Sequence, residues 1–308
     1  MTSRIPLLAT ARTALFAPAT RPDRVLKAAV SAADLVVVDL EDAVAASDKD
    51  EAREHLIGLL TARHEVGALP GPVAVRVNPP QTEAGRADLE ALRRITRPSR
   101  HDDGTDAAVP GTAPDLLDAV LLPKLETADQ VRRVREALGD GVGIAGTVES
   151  AAGLLALEAL AREEGVLRLA VGALDLAFDL GCAADSRTMS AALARVVIVS
   201  RTLGLPGPLA SPTPQFREPG PVQEAARSAR ADGFTGKLCI HPAQLAPVAE
   251  AFAPAEEEIT WAHSIVQAVD GASAVDGAMV DAPVIARARA VLSEADATTG
   301  AGSAADEG

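Results

Sequence analysis

Leu35-Val-Val-Val-Asp39-Leu40-Glu41-Asp42 sets the reading of the whole chain. Four branched or aliphatic residues in a row, with no polar alternation, describe a strand buried on both faces, as in a parallel sheet covered by helices. The run then breaks into acids. A carboxylate set directly after a buried strand costs desolvation free energy unless it pairs or binds something.

The same unit recurs at Ala14–Ala17, Val73–Val77, Ala119–Leu122, Gly143–Val148, Leu167–Val171 and Leu238–Ile240, with a weaker run near Leu209. Between the runs lie helix signals. Arg21-Pro22-Asp23 opens one, Ser47-Asp48 caps another before Glu51, and Thr127 with Asp129 precedes Val131 and Val134. Eight alternating β/α units predict an α/β fold of the (β/α)8 TIM-barrel type; an open doubly wound sheet is the alternative. The barrel is expected over 1–252. Helical segments near Pro254–Val269 and Ala282–Leu292, joined by the Gly-rich Gly271–Gly277, form a C-terminal helical extension over 253–295, and a small, polar tail (296–308) reads as disordered. Arg97–Pro114, rich in Asp, Gly, Thr and Pro, reads as a long surface loop.

Composition narrows the function. The chain has 308 residues, 48% of them hydrophobic, and a formal charge of −14, which argues against nucleic acid or an anionic membrane as the main partner. Two cysteines, Cys182 and Cys239, suffice for neither a disulfide framework nor a thiolate cage, and read as small core residues. Pro6 and Arg12 interrupt the N-terminal apolar stretch, and no stretch nears the roughly 20 apolar residues of a membrane span, so a cytoplasmic protein is expected.

Chemistry in a barrel gathers at the C-terminal ends of the strands. There the sequence places Asp39, Glu41, Asp42, Arg76, Asn78, Lys124, Glu149, Asp175 and His241. Glu149 and Asp175 end successive strands. Two carboxylates without His or Cys suit Mg²⁺ or Mn²⁺, since Mg²⁺ commonly takes one or two protein carboxylates and keeps its waters. The plainer reading makes Glu149 a helix N-cap and Asp175 a solvated loop acid. Arg76 offers a guanidinium fork for a carboxylate, or else pairs with Asp39 or Glu41 to hold the rim. Lys124 is expected to pair with its neighbour Glu126, and His241 to be a hydrogen-bonded rim histidine. Gly141-Val-Gly-Ile-Ala-Gly146 follows a helix and leads into a strand, the reverse of a dinucleotide fingerprint, and so reads as a turn.

Taken in order, several motifs resemble the citrate lyase beta-subunit-like proteins, of the metal-dependent aldolase and malyl-CoA lyase type. These are Arg12-Thr-Ala-Leu-Phe-Ala-Pro18, Arg21-Pro-Asp-Arg24, Val37-Val-Asp-Leu-Glu-Asp-Ala-Val44, Arg76-Val-Asn78, Leu122-Pro-Lys124, Val148-Glu-Ser150, Asp175-Leu176, Gly236-Lys-Leu-Cys-Ile-His-Pro-Ala-Gln244 and Gly277-Ala-Met-Val-Asp-Ala-Pro283. The resemblance spans about residues 11–293. It implies a (β/α)8 barrel in a homotrimer or hexamer, with Mg²⁺ on Glu149 and Asp175 and a 2-oxo acid on Arg76. It further implies metal-bound water ordered by Glu41 and Asp42, CoA phosphates met by Arg21, Arg24 and Lys27, and Asp281 supplied by a C-terminal segment that covers a neighbouring subunit's site.

The implied reaction is reversible carbon–carbon cleavage of a 3-hydroxyacyl-CoA of citramalyl, malyl or citryl type into an acyl-CoA and a 2-oxo acid. An aldolase acting on free hydroxy-keto acids and a non-catalytic subunit binding an acyl carrier are the alternatives. The chain departs from the family pattern at Leu174, where relatives have Glu, and at Ala210 and Gln215, where they have Asp. Ala19 replaces a first-loop Gly, and the 97–114 insertion is additional.

Overall fold

The computed structural model describes residues 7–66, 69, 71–96, 117–271 and 281–303. Eight parallel strands close into a barrel in sequence order: β1 Thr13–Pro18, β2 Leu35–Asp39, β3 Val73–Arg76, β4 Ala119–Leu122, β5 Gly143–Val148, β6 Val166–Val171, β7 Leu209–Ala210 and β8 Gly236–Cys239. The closed barrel, not the open sheet, is the fold. The ladder seals through Thr13↔Lys237 and Leu15↔Cys239 between β1 and β8. The weak run near Leu209 is the two-residue β7, joined to β6 by the single register pair Ala170↔Leu209.

Alternation along each strand explains why the runs are nearly all apolar. Ala14, Leu35, Val37, Ala74, Ala119, Leu121, Ala145, Ala170, Leu209 and Leu238, from all eight strands, form one buried cluster with Leu8 and Ala11, and this is the barrel interior. The intervening residues, such as Val36, Val38, Val73 and Val75, are equally buried against the helical layer. Small interior residues leave room at the floor for Arg168, which is wholly buried. Its guanidinium donates to Leu8 O (2.9 Å), Ala11 O (2.7 Å), Gly207 O (2.8 Å) and Thr235 Oγ1 (2.9 Å). Burial pushes its pKa down to about 9.

Two of the three helix starts hold, whereas Ser47 and Asp48 do not cap but lie within the 3-10 turn Ala46–Asp48, where the Ser47 hydroxyl donates to Asp48, just before the helix Lys49–Val66. Pro22 occupies the first turn of Pro22–Ala29, and Thr127 with Gln130 forms a capping box on Ala128–Leu138. Only Gly141 and Val142 of the Gly141–Gly146 stretch form the expected turn; Gly143–Gly146 are the first residues of β5 itself. Cys239 is buried as expected, whereas Cys182 is half-exposed, because it follows the short helix Ala173–Asp179 at the rim.

The chain divides into two compact units, Met1–Val248 and Ala249–Gly308. In the second, helices Glu256–Gly271 and Ala282–Ser303 enclose Ala262, Ile265, Ala288 and Val291, and Arg287 lies over the Trp261 ring at 5.1 Å. The last helix runs past Ala297 to Ser303, where the sequence suggested a disordered tail; Gly300 and Gly302 weaken it there, but no Pro stops it. The 97–114 insertion, most of the Gly271–Gly277 connector and 304–308 lie outside the described residues. Among the described residues no helix is long and apolar enough to cross a membrane.

Candidate active site

Asp39 and Arg76 are register neighbours at the ends of β2 and β3. Their side chains form a fork, with Arg76 Nε 2.8 Å from Asp39 Oδ1 and Nη2 2.6 Å from Oδ2. Asp39, 1% exposed, also accepts from the amides of Glu41 (2.9 Å) and Ala43 (3.2 Å). The rim-holding role weighed for Arg76 is therefore real, but it uses only one edge of the guanidinium. Nη1 remains, 3.2 Å from Glu41 Oε2 and 3.4 Å from Asp42 Oδ2, and the group lies 4.8 Å over the Phe16 ring. Burial alone would favour loss of the Arg76 proton. The hydrogen bond and charge of Asp39 more than offset that and raise its pKa.

Glu41 is 4% exposed. Its Oε1 accepts from Lys124 Nζ at 2.9 Å. Its Oε2, though close to Arg76, lacks the alignment of a hydrogen bond and has no other partner. Burial pushes the Glu41 pKa up against the opposing charge of Arg76. Lys124 thus pairs across the rim with Glu41 and not with Glu126, which accepts instead from Ser150 Oγ at 2.6 Å. The cause is backbone geometry: Lys124 has φ of +47°, a left-handed conformation that carries its side chain away from its sequence neighbour.

Glu149 follows β5 and is 7% exposed. Its Oε2 accepts from Lys124 N at 2.9 Å. It is not the helix N-cap: Ser150 takes that position, accepting from Gly153 N at 3.1 Å. Burial, and then the charge of Glu41, push the Glu149 pKa up to about 7, with Asp175 contributing in the same direction. Asp175 sits exposed in the first turn of Ala173–Asp179. Glu149 thus feels the charges of both Glu41 and Asp175, with Arg76 opposing them.

Among the described residues no group of three or more His, Cys, Asp or Glu side chains forms a ready cage. A hard dication does not need one. Oxygen donors from Glu149 and Asp175, the unpartnered buried Glu41 Oε2, and a carboxylate whose ionisation burial opposes all fit Mg²⁺ or Mn²⁺ completed by water.

Arg21, at the N-cap, and Arg24 and Lys27, on the helix Pro22–Ala29, stand exposed and line a cavity of about 490 Å³ together with Phe16, Ile240 and His241. Arg21 is forked to Asp23 at 2.9 and 3.0 Å. His241 accepts from Ala243 N through Nδ1, and its ring stacks on Phe216 at 4.5 Å. Asp281 belongs to the second unit, where its Oδ1 accepts from Val284 N at 3.2 Å at the start of the last helix.

Sequence reasoning passed over Lys49, whose Nζ donates to Leu40 O (2.6 Å), Glu41 O (2.7 Å) and Asn78 Oδ1 (2.8 Å) and so ties the acid loop to the third strand end. A lysine ten residues past an acid carries no local signal for such a role. It also passed over Ser211 and Lys237.

The sequence profile of the HpcH/HpaI aldolase/citrate lyase family matches residues 12–100 and 93–242. The chain belongs to this family. It is an enzyme of lyase type. It is 34% identical over 294 residues to a citrate lyase subunit beta-like protein of Mycobacterium tuberculosis (strain CDC 1551 / Oshkosh), covering 92% of this chain and 96% of that one. It is 28% identical to the mitochondrial citramalyl-CoA lyase of Homo sapiens, over 90% and 83% of the two chains. The crystal structure of CitE from Mycobacterium tuberculosis in complex with magnesium, acetoacetate and coenzyme A superposes with a TM-score of 0.72 at 30% identity, covering 94% of this chain and 99% of that one.

Proposed function

We propose that this enzyme catalyses Mg²⁺-dependent cleavage or formation of the carbon–carbon bond between an acyl-CoA and a 2-oxo acid, acting on a 3-hydroxyacyl-CoA of citramalyl, malyl or citryl type. The observation that carries the reading is the buried Glu149 at the end of β5, acted on by the charges of Glu41 and Asp175, with Glu41 itself set against Arg76. The relatives named for citramalyl-CoA lyase activity and solved with magnesium and coenzyme A support it.

Glu149 and Asp175 hold the cation. When bound, it supplies Lewis-acid stabilisation of negative charge at the substrate's keto oxygen. Arg76, clamped by Asp39, holds the oxo-acid carboxylate, so that its contribution is orientation. Glu41 and Asp42 order water at the site, and Lys124 keeps Glu41 in place. Arg21, Arg24 and Lys27 meet the CoA phosphates along the cavity that they line. Asp281 moves the proton at the thioester α-carbon or the hydroxyl, delivered from a neighbouring copy in a homotrimer or hexamer whose C-terminal segment acts as a lid.

The test is direct. Purified protein is incubated with Mg²⁺, glyoxylate or pyruvate, and acetyl-CoA or propionyl-CoA, and the condensed thioester is sought by mass. Product that disappears in Glu149→Gln and Asp175→Asn supports the reading. Retained activity and metal affinity in both variants overturns it.

A further inference from the structure

Ser211 directly follows β7, and its hydroxyl bridges the two backbone groups that flank Gly172. It donates to Val171 O at 2.6 Å and accepts from Ala173 N at 2.8 Å. The carbonyl of the same residue accepts from Lys237 Nζ at 2.5 Å. Lys237 lies on β8 and is 6% exposed. One serine thus fastens the end of β6 to material from β7 and β8.

The fastened turn is the one on which both proposed cation ligands depend. Gly172 N donates to Val148 O (3.1 Å), immediately before Glu149. Gly172 also forms the floor under the Glu149 carboxylate, so close that a Cβ there would lie 2.5 Å from Oε1. Ala173 opens the helix whose first turn carries Asp175. A shift of this turn moves the Glu149 floor and the Asp175 helix together. The β5 ladder holds the turn on one side, through Val148↔Val171, but on the other side strand pairing restrains it weakly, because β6 and β7 share one register pair and β7 is two residues long. The two Ser211 hydroxyl bonds are what continue the β6–β7 junction to the rim.

We propose that Ser211, anchored by Lys237, is a positioning residue that sets the separation of Glu149 and Asp175 and thereby the affinity of the cation site. This rests on the reading of those two acids as the ligands. Outer groups that orient metal ligands typically change affinity by roughly 10–100-fold when removed, without touching the ion.

The experiment titrates Mn²⁺ into wild type, Ser211→Ala, Ser211→Thr and Glu149→Gln by electron paramagnetic resonance, and follows hydrogen exchange of the Ala173 amide without metal. Ser211→Ala is expected to weaken Mn²⁺ roughly tenfold and to speed exchange at Ala173. Ser211→Thr, which keeps the hydroxyl, recovers affinity. Should the alanine variant not fold, Ser211→Cys supplies the same comparison with a poorer hydrogen-bonding group. Wild-type affinity and exchange in Ser211→Ala, with binding lost in Glu149→Gln, overturns the positioning role and leaves the site reading standing. Binding kept by Glu149→Gln overturns the site reading itself.

Discussion

Gly172 and Glu149 occupy space that a single added carbon would deny them: a Cβ at Gly172 would stand 2.5 Å from Glu149 Oε1 and 2.6 Å from its Cγ. The glycine is there for close approach, not for a left-handed turn. Gly172→Ala should fold, since the clash falls on a side chain at the rim, with overpacking that costs about 1–3 kcal/mol. It should displace the Glu149 carboxylate and weaken Mn²⁺ by roughly tenfold or more. A Mn²⁺ titration with wild-type affinity would show that Glu149 can hold the ion from another rotamer.

Arg76 presents one edge to Asp39 and turns its remaining Nη1 toward Glu41 and Asp42, a division that only a planar guanidinium permits, and the proposed function gives that second edge to the 2-oxo-acid carboxylate. Arg76→Lys preserves the charge and removes the fork. The KM for the 2-oxo acid should rise, and kcat/KM should fall by at least about a hundredfold, the scale expected when a reactant loses its fixed orientation. Steady-state kinetics with the oxo acid varied at saturating acyl-CoA makes the measurement. A fall in kcat at unchanged KM would assign Arg76 a role other than holding the carboxylate.

The barrel was legible because seven of its strands announce themselves as apolar runs, and most of those runs are followed within a few residues by a polar or charged side chain. The parallel ladder then brings strand ends that are distant in sequence to one rim, so the acids and Arg76 meet there. The connections among them were not legible. Lys124 reaches Glu41 and not Glu126 because of a left-handed backbone angle that its sequence does not encode. Ser211 and Lys237 look like an ordinary loop serine and a strand lysine, and only barrel closure sets them against the Val171–Ala173 turn. Arg168, an isolated charge within an apolar strand, gave no sign that four oxygens of the barrel floor converge on it.

Burial and the neighbouring Glu41 raise the Glu149 pKa from 4.5 to about 7. The folded, metal-free protein therefore holds a proton that the unfolded chain has already lost between those values. Stability should fall as pH rises through that window and level off above it, with a contribution from Glu149 on the order of 3 kcal/mol. Chelated protein melted at pH 5.5 and pH 8 should show this loss, and Glu149→Gln should show less of it. Mg²⁺ should restore stability most at pH 8, because it selects the ionised carboxylate. Equal pH slopes in wild type and Glu149→Gln would place the Glu149 pKa near its ordinary value.

Arg168 closes the barrel at the end opposite the acids, where its partners Leu8, Ala11, Gly207 and Thr235 precede strands β1, β7 and β8. Arg168→Met fills much of the same volume with apolar atoms but abandons the Leu8 and Ala11 carbonyls in a wholly buried floor, while Gly207 O keeps its bond from Thr235 Oγ1. Orphaned acceptors cost about 1–3 kcal/mol each, less what an entering water recovers, so a net loss of about 3–5 kcal/mol is expected. For a barrel of this size that corresponds to a drop in Tm of roughly 10 °C. Because no atom of Arg168 reaches the rim, kcat measured well below the transition should stay within about twofold of wild type, a change in barrier of under half a kcal/mol. A variant that kept its Tm but lost turnover would mean that the floor transmits strain to the acids, and that stability and chemistry are not divided between the two ends of this barrel.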